Sequence, residues 1–373
     1  MHPPVSRAPL IDTLKGLACI AIVWHHLAFY GPMSDAALPL FPGLMAWLYD
    51  HARLAVQVFL VLGGYLAAGS LAPQGVARFD SALSQIGKRF VRLMVPLAAA
   101  LALSMVAAAL VRPWLDHPSV PGVPQWPQLF AHVLLLQDVL GEEALSAGVW
   151  YVAIDFQLFA GTVLLFAGVR KLLGKASTAV QARAGQALVV LGVAGSLCWA
   201  NREPALDVWG VYFFGAYGLG MLARWAVRSP RPMLWWGLMA CLALGALALE
   251  FRSRIAVAVL AAGVLMLWQR WAPEWPGGGW AGGVQQVGRM SYSVFLVHFP
   301  VCLCVNALWA QLWPTQALPN ALGMWLAFVL SLVAGHCMYR WVEQPTPTGL
   351  SALRWQAGLL GLGLLVLRLD AVL

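Results

Sequence analysis

An all-α polytopic membrane protein of about eleven transmembrane helices is the fold class this sequence predicts, and three observations carry it. First, hydrophobic residues make up 61% of the 373 positions and Asp, Glu, Lys and Arg only 10%, against about 45–50% and about 25% in soluble domains. So few charges cannot coat a water-facing surface of this size, which excludes a soluble multidomain chain. Disordered, collagen-like and disulfide-scaffold chains are excluded on the same ground. Second, apolar runs near the ~20 residues needed to cross a bilayer recur at 10–30, 52–72, 90–111, 147–169, 186–202, 208–226, 233–250, 254–271, 289–311, 319–342 and 355–373. Third, with the N-terminus placed inside, sixteen Lys and Arg fall in inside segments, and only Arg53, Arg112, Arg202, Arg252 and Arg254 fall outside. Cytoplasmic loops retain basic residues, so the bias predicts N-in, C-out. A miscounted helix would reverse it downstream, so the score also supports an odd number of spans. The net charge of +8 therefore reads as inside bias, with no nucleic-acid partner and with membrane lipids as surroundings.

Along the chain, Met1–Pro9 and the run behind it resemble a signal peptide in outline. Lys15, His25 and His26 inside the run, and no A-x-A-like exit, predict a retained helix. An ionisable group at bilayer depth costs about 2.5–3.5 kcal/mol on insertion scales, so each is a candidate functional residue. Lys15 and His26 are eleven positions apart, which at ~100° per residue returns them to within about 20° of one face, about 16 Å apart along the axis. One stripe thus offers a cation near the inner mouth and an imidazole deeper in. A snorkelling lysine and a hydrogen-bonded core histidine are the structural alternative.

Lys88, Arg89 and Arg92 open the third span, with Arg89 and Arg92 at i, i+3 and Lys88 at i, i+4 to Arg92. Such a fork suits a polyanion with several phosphates; ordinary topology-setting charge is the alternative. The 113–146 segment is the largest outside loop, and its apolar piece Leu129–Leu140 is too short to span. Asp155 opens the fourth span and is expected to have a buried partner such as a histidine or arginine. His298 lies in the ninth span, in Ser291-Tyr292-Ser293-Val294-Phe295-Leu296-Val297-His298, and alone reads as a satisfied core histidine. Pro276–Gly283 contains G-x-G-x-x-G without a strand–turn–helix context, so it reads as a linker. The six cysteines all fall in apolar runs and lack metal-ligand spacing, which predicts neither a disulfide framework nor a metal site.

Taken together, these segments resemble the acyltransferase-3 family, the integral-membrane acyltransferases of sugars and related hydroxyl acceptors. Lys15, ten residues, then His26 matches its first-helix motif, with lysine for the commoner arginine. Phe59 to Tyr65 resembles F-F-x-x-S-G-F/Y, with Gly63 in the serine's place. Lys88 to Arg92 matches R/K-R-x-x-R. Trp150 to Asp155 resembles W-x-L-x-x-E, with Asp155 for the glutamate. Ser291–His298 resembles S-Y-x-x-Y-L-x-H, and Glu343-Gln344-Pro345 the closing E-x-P.

The resemblance implies a ten-helix domain over 1–345, followed by a linker and an additional C-terminal helix at 346–373. It also implies a bacterial inner (plasma) membrane and an acyl-CoA co-substrate, acetyl-CoA foremost, with no metal. The resemblance further implies transfer of the acyl group to a hydroxyl of a carbohydrate or lipid-linked glycan acceptor. Some relatives carry an extracytoplasmic domain after the last helix; this chain stops at Leu373, so a second transfer step would need another protein. His26, rather than His25, takes the catalytic position. Asp155 could orient it and Lys15 assist, while Lys88, Arg89 and Arg92 would hold the CoA phosphates. His25, Ser291, Tyr292, His298 and Glu343 are further candidates, Ser291 and Tyr292 as oxyanion donors. General-base catalysis and an acyl-histidine intermediate both remain open. A transporter or flippase, or a non-catalytic membrane partner, are the rival classes.

Overall fold

The computed structural model describes residues 9–271 and 279–370, apart from the side chains of 269–271 and 369–370. Arg7, the Arg270 side chain and Pro276–Gly278 of the linker lie outside the described residues. Fifteen α-helices and no strand are present among the described residues. In chain order they are α1 (Pro9–Phe29), α2 (Pro32–Ala37), α3 (Pro42–Asp50), α4 (Val56–Leu71), α5 (Ala82–Val111), α6 (Trp126–Val133) and α7 (Val149–Leu173). Then come α8 (Thr178–Cys198), α9 (Gly210–Arg228), α10 (Pro232–Leu249), α11 (Ser253–Trp271) and α12 (Trp280–Arg289). The last are α13 (Ser291–Leu312), α14 (Ala317–Met338), which ends in a wider turn over Tyr339–Glu343, and α15 (Gly349–Asp370).

Every apolar run read from the sequence forms a helix, because a chain in hydrocarbon must satisfy its backbone within each segment. Nine of these helices, among the described residues, are long and apolar enough to cross a membrane. The other two differ for physical reasons. In α9, Gly210, Gly215, Gly218 and Gly220 together with Arg224 and Arg228 dilute the hydropathy of a mostly buried helix. The apolar part of α11, Ser253–Trp268, falls short in length. The Leu129–Leu140 piece becomes α6 and a succession of turns, and the linker runs from Gly279 into α12.

Two compact units form. The first comprises Met1–Ile11, Leu54–Phe90 and Ile154–Gly278, and the second Asp12–Arg53, Val91–Ala153 and Gly279–Leu373. In the first, α9 packs against α4, α8, α10 and α11. Gly64 and Gly220 make its tightest seam possible. A Cβ on Gly64 would collide with the Tyr217 carbonyl, and one on Gly220 with the Val61 carbonyl. Small residues at such a seam let helix backbones close up where lipid offers no hydrophobic drive.

In the second unit α13 lies along α14. Trp24 of α1 packs edge-on against Trp325 of α14 at 4.7 Å between ring centres. A core cluster of Val111, Leu115, Ala147, Phe299 and Leu303 closes around α13. The C-terminal helix α15 packs on α6, where Gln356 donates to the Val133 carbonyl at 3.2 Å.

Candidate functional site

Helix α1 carries two adjacent histidines, and one position is ~100° of helix rotation, so the two rings leave in different directions. His25 Nδ1 donates to the Leu48 carbonyl of α3 at 3.0 Å. His26 Nδ1 lies 2.5 Å from His298 Nε2 on α13. The His298 Nδ1 in turn donates to the Phe295 carbonyl at 2.6 Å. His298 is 1% exposed and His26 9%, so what approaches this pair meets His26 first. The imidazole planes are 12° apart and the ring centres 4.7 Å. Tyr30 lies beside the His26 ring at 5.4 Å and packs edge-on against Phe299.

The turn bearing His298 is loosened on one side and braced on the other. Pro300 cannot donate the backbone bond that Leu296 would accept, which loosens the helix locally. Phe295 is held by Tyr151, edge-on at 5.8 Å. It is also held by Gly148, where φ is +80° and a Cβ would stand 2.6 Å from the Phe295 ring. Only glycine meets both demands without strain.

A second polar cluster in the same unit gathers around Glu343. Its carboxylate accepts from the Ser293 hydroxyl at 2.5 Å and from the Ser293 backbone N–H at 3.2 Å. The charges of Arg92 and Lys15 both act on it. Tyr292 donates its hydroxyl to the Leu93 carbonyl at 2.9 Å, so in this arrangement its proton points to backbone rather than to a reacting oxygen. Ser291 lends its carbonyl to the Cys19 thiol at 3.7 Å.

In the first unit Arg89 and Asp155 form a 2.5 Å ion pair. Arg89 also lies over the Phe159 ring at 5.2 Å. Gly63 stands beside this pair: a Cβ there would lie 3.3 Å from the Tyr217 ring and 3.8 Å from Asp155 Oδ1. Lys88 and Arg92, on the same helix as Arg89, are exposed.

The structure therefore brings His26 to His298, Ser293 to Glu343, and Arg89 to Asp155. The group bonded to His26 is His298. Of the partners expected for Asp155, a histidine or an arginine, the structure supplies the half-buried Arg89. Ser293 and the Phe295 carbonyl were missed. A backbone oxygen carries no sequence signal, and Ser293 lay hidden beside the motif's own Ser291. Among the described residues, no group of three or more His, Cys, Asp or Glu is placed to hold a metal ion.

Comparison with known proteins points one way. No solved structure matches the chain. "Acyltransferase MdmB" of Streptomyces mycarofaciens is 26% identical over 176 residues, which is 46% of this chain and 42% of that protein. The likeness thus spans less than half of that relative. A family profile described as "Acyltransferase domain" matches residues 9–340, which takes in both histidines, the basic fork and Asp155. The chain belongs to the acyltransferase-3 family.

Proposed function

We propose that this chain is a membrane O-acyltransferase that moves an acyl group, acetyl foremost, from acyl-CoA to a hydroxyl of a carbohydrate or lipid-linked glycan, with His26 as general base. The observation that carries the reading is the state of His26. It occupies the family's catalytic position and is buried except for 9% of its surface, and a second imidazole bonds it at 2.5 Å.

A neutral imidazole, with an ordinary pKa near 6.5, is matched to taking a proton from a hydroxyl as that oxygen attacks a carbonyl. The acceptor O–H proton passes to His26 while the oxygen adds to the thioester carbon. Collapse of the tetrahedral intermediate breaks the C–S bond, and the imidazolium returns the proton to the departing CoA sulfur. The products are an ester and free CoA, with His26 restored.

Lys88 and Arg92 supply the exposed cations for the donor's phosphates, with Arg89 and Lys15 adding positive potential. The reading keeps the eleven-span, N-in arrangement, with residues 1–345 as the catalytic domain and the donor on the cytoplasmic face of an inner (plasma) membrane. The purified protein with acetyl-CoA alone is the test. Slow release of CoA that disappears in His26→Ala supports the proposal. Near-normal release by His26→Ala rejects His26 as the base, and no release by the wild type favours a transporter or a non-catalytic partner.

A further inference from the structure

Proton bookkeeping along the histidine pair leads beyond the base itself. A carbonyl oxygen can only accept, so the 2.6 Å contact between His298 Nδ1 and the Phe295 carbonyl requires a proton on His298 Nδ1. In a neutral ring that makes His298 Nε2 an acceptor. The 2.5 Å contact to His26 then requires the proton on His26 Nδ1. With that proton fixed, the lone pair of neutral His26 sits on Nε2. Among the described residues, no hydrogen bond is made to that nitrogen.

The ring geometry supports a true lone-pair contact rather than face-to-face stacking. The 4.7 Å between ring centres matches the 2.5 Å contact plus two ring radii laid end to end. The line of centres therefore passes through both nitrogens and lies in both ring planes, which are 12° apart. That is the direction in which an imidazole lone pair points.

We infer that His298 is the positioning residue of this site. It holds His26 in the tautomer that turns Nε2 outward as the base, with the Phe295 carbonyl as the fixed end of the relay. In the Ser-His-Asp arrangement a carboxylate does this work; here a second imidazole anchored on backbone does it, and the carboxylate of Asp155 is engaged by Arg89. A neutral relay suits a site inside hydrocarbon, where an added buried charge is costly. The inference rests on His26 being the base.

The test compares acetyl transfer by wild type, His26→Ala, His298→Phe and His298→Gln. Each is checked for a monodisperse profile and an unchanged melting midpoint. Phenylalanine fills the space but cannot accept; a glutamine oxygen reaches about as far as Nε2 and can. The expected result is a kcat loss of about 100-fold or more in His298→Phe, the order for a base that loses its orienting partner. The KM for acetyl-CoA should stay unchanged, and His298→Gln should recover at least a tenth of wild-type kcat.

Near-normal kcat in His298→Phe, with His26→Ala inactive, would overturn the role of His298 and leave His26 standing. Equal losses in the Phe and Gln variants would reduce His298 to packing. Should the phenylalanine variant fail to fold, His298→Asn, whose amide stops short of His26, takes its place with the same expectation. Activity in His26→Ala would instead sink the base reading itself.

Discussion

Asp155 and Arg89 are joined at 2.5 Å within the first unit, with the Asp155 side chain 11% exposed and that of Arg89 31%. Removing one member of a buried pair strands the other's charge, at about 3–5 kcal/mol when both are fully buried. The residual access of Arg89 to solvent lowers the expected loss to about 2–3 kcal/mol. Asp155→Ala should therefore lower the melting midpoint clearly in detergent. The double variant Arg89→Met/Asp155→Leu should recover much of it, because no charge is left behind. A double variant less stable than either single would refute a stranded-charge origin.

His25 and His26 should separate on substitution. His25→Ala removes one side-chain bond to the Leu48 carbonyl, worth about 1 kcal/mol. Stability should fall by that order while kcat stays within severalfold of wild type. Stability and turnover measured on the same preparation decide it, since a collapse of kcat in His25→Ala would contradict separate roles.

Gly63 stands where the family pattern has serine. A Cβ there meets the Tyr217 ring at 3.3 Å and Asp155 at 3.8 Å, so Tyr217 must give by a few tenths of an ångström while a hydroxyl gains a carboxylate neighbour. Gly63→Ser should cost no more than about 1 kcal/mol and leave the protein active. Gly220→Ser should be far worse, because its Cβ meets the Val61 carbonyl, which cannot move aside. Thermal unfolding of the two variants side by side checks the order.

The Glu343 carboxylate lies within electrostatic reach of Arg92 and Lys15. Glu343→Gln keeps an acceptor for the Ser293 hydroxyl but removes a negative charge that opposes an incoming polyanion. The KM for acetyl-CoA should fall about two- to fivefold, corresponding to about 0.5–1 kcal/mol of relieved repulsion. A raised KM would place Glu343 among the groups that bind the donor's polar parts.

The loop segment 126–146 should loosen in acid. Burial pushes the His132 imidazole down to about 4, only partly offset by the Gln128 carbonyl that Nδ1 donates to. Its Nε2 accepts the Leu145 N–H at 3.1 Å, which only a neutral ring can do. A histidine whose folded pKa lies below its unfolded value near 6.5 contributes stability that is complete above about pH 6.5. That contribution is lost as pH falls toward 4, about 3 kcal/mol over the window. The protection factor of the Leu145 amide, its exchange relative to the intrinsic rate at each pH, should fall between those limits in wild type and stay constant in His132→Gln. Unchanged protection at pH 4.5 would contradict the assignment.

The helices were legible because the bilayer imposes their length and their apolarity together. The stripe from Lys15 to His26 was legible because helix periodicity is fixed. Partners were not. The charge of Asp155 required a counter-group without saying which, and Arg89 stands 66 positions away. His298 is 272 positions from His26, beyond any periodic signal, and read alone it could only be a core histidine. Ser293 was passed over for Ser291, although two positions turn a helix by ~200° and put the two hydroxyls on opposite sides. The short helices α2, α3 and α12 escaped because none reaches spanning length.

The ring of His132 grips Leu145, and three residues further on Gly148 abuts Phe295, whose carbonyl ends the imidazole relay. The stretch between His132 and Gly148 is thus a strut of set length, clamped at both ends. A residue inserted or deleted within it would be felt at the histidines themselves. Before Trp126, Leu115 and Val120 are tied to the core around α13, but Gly122 has open space where a side chain would go. Tags, reporters and engineered recognition segments belong at Gly122, because a change there need not move the chemistry.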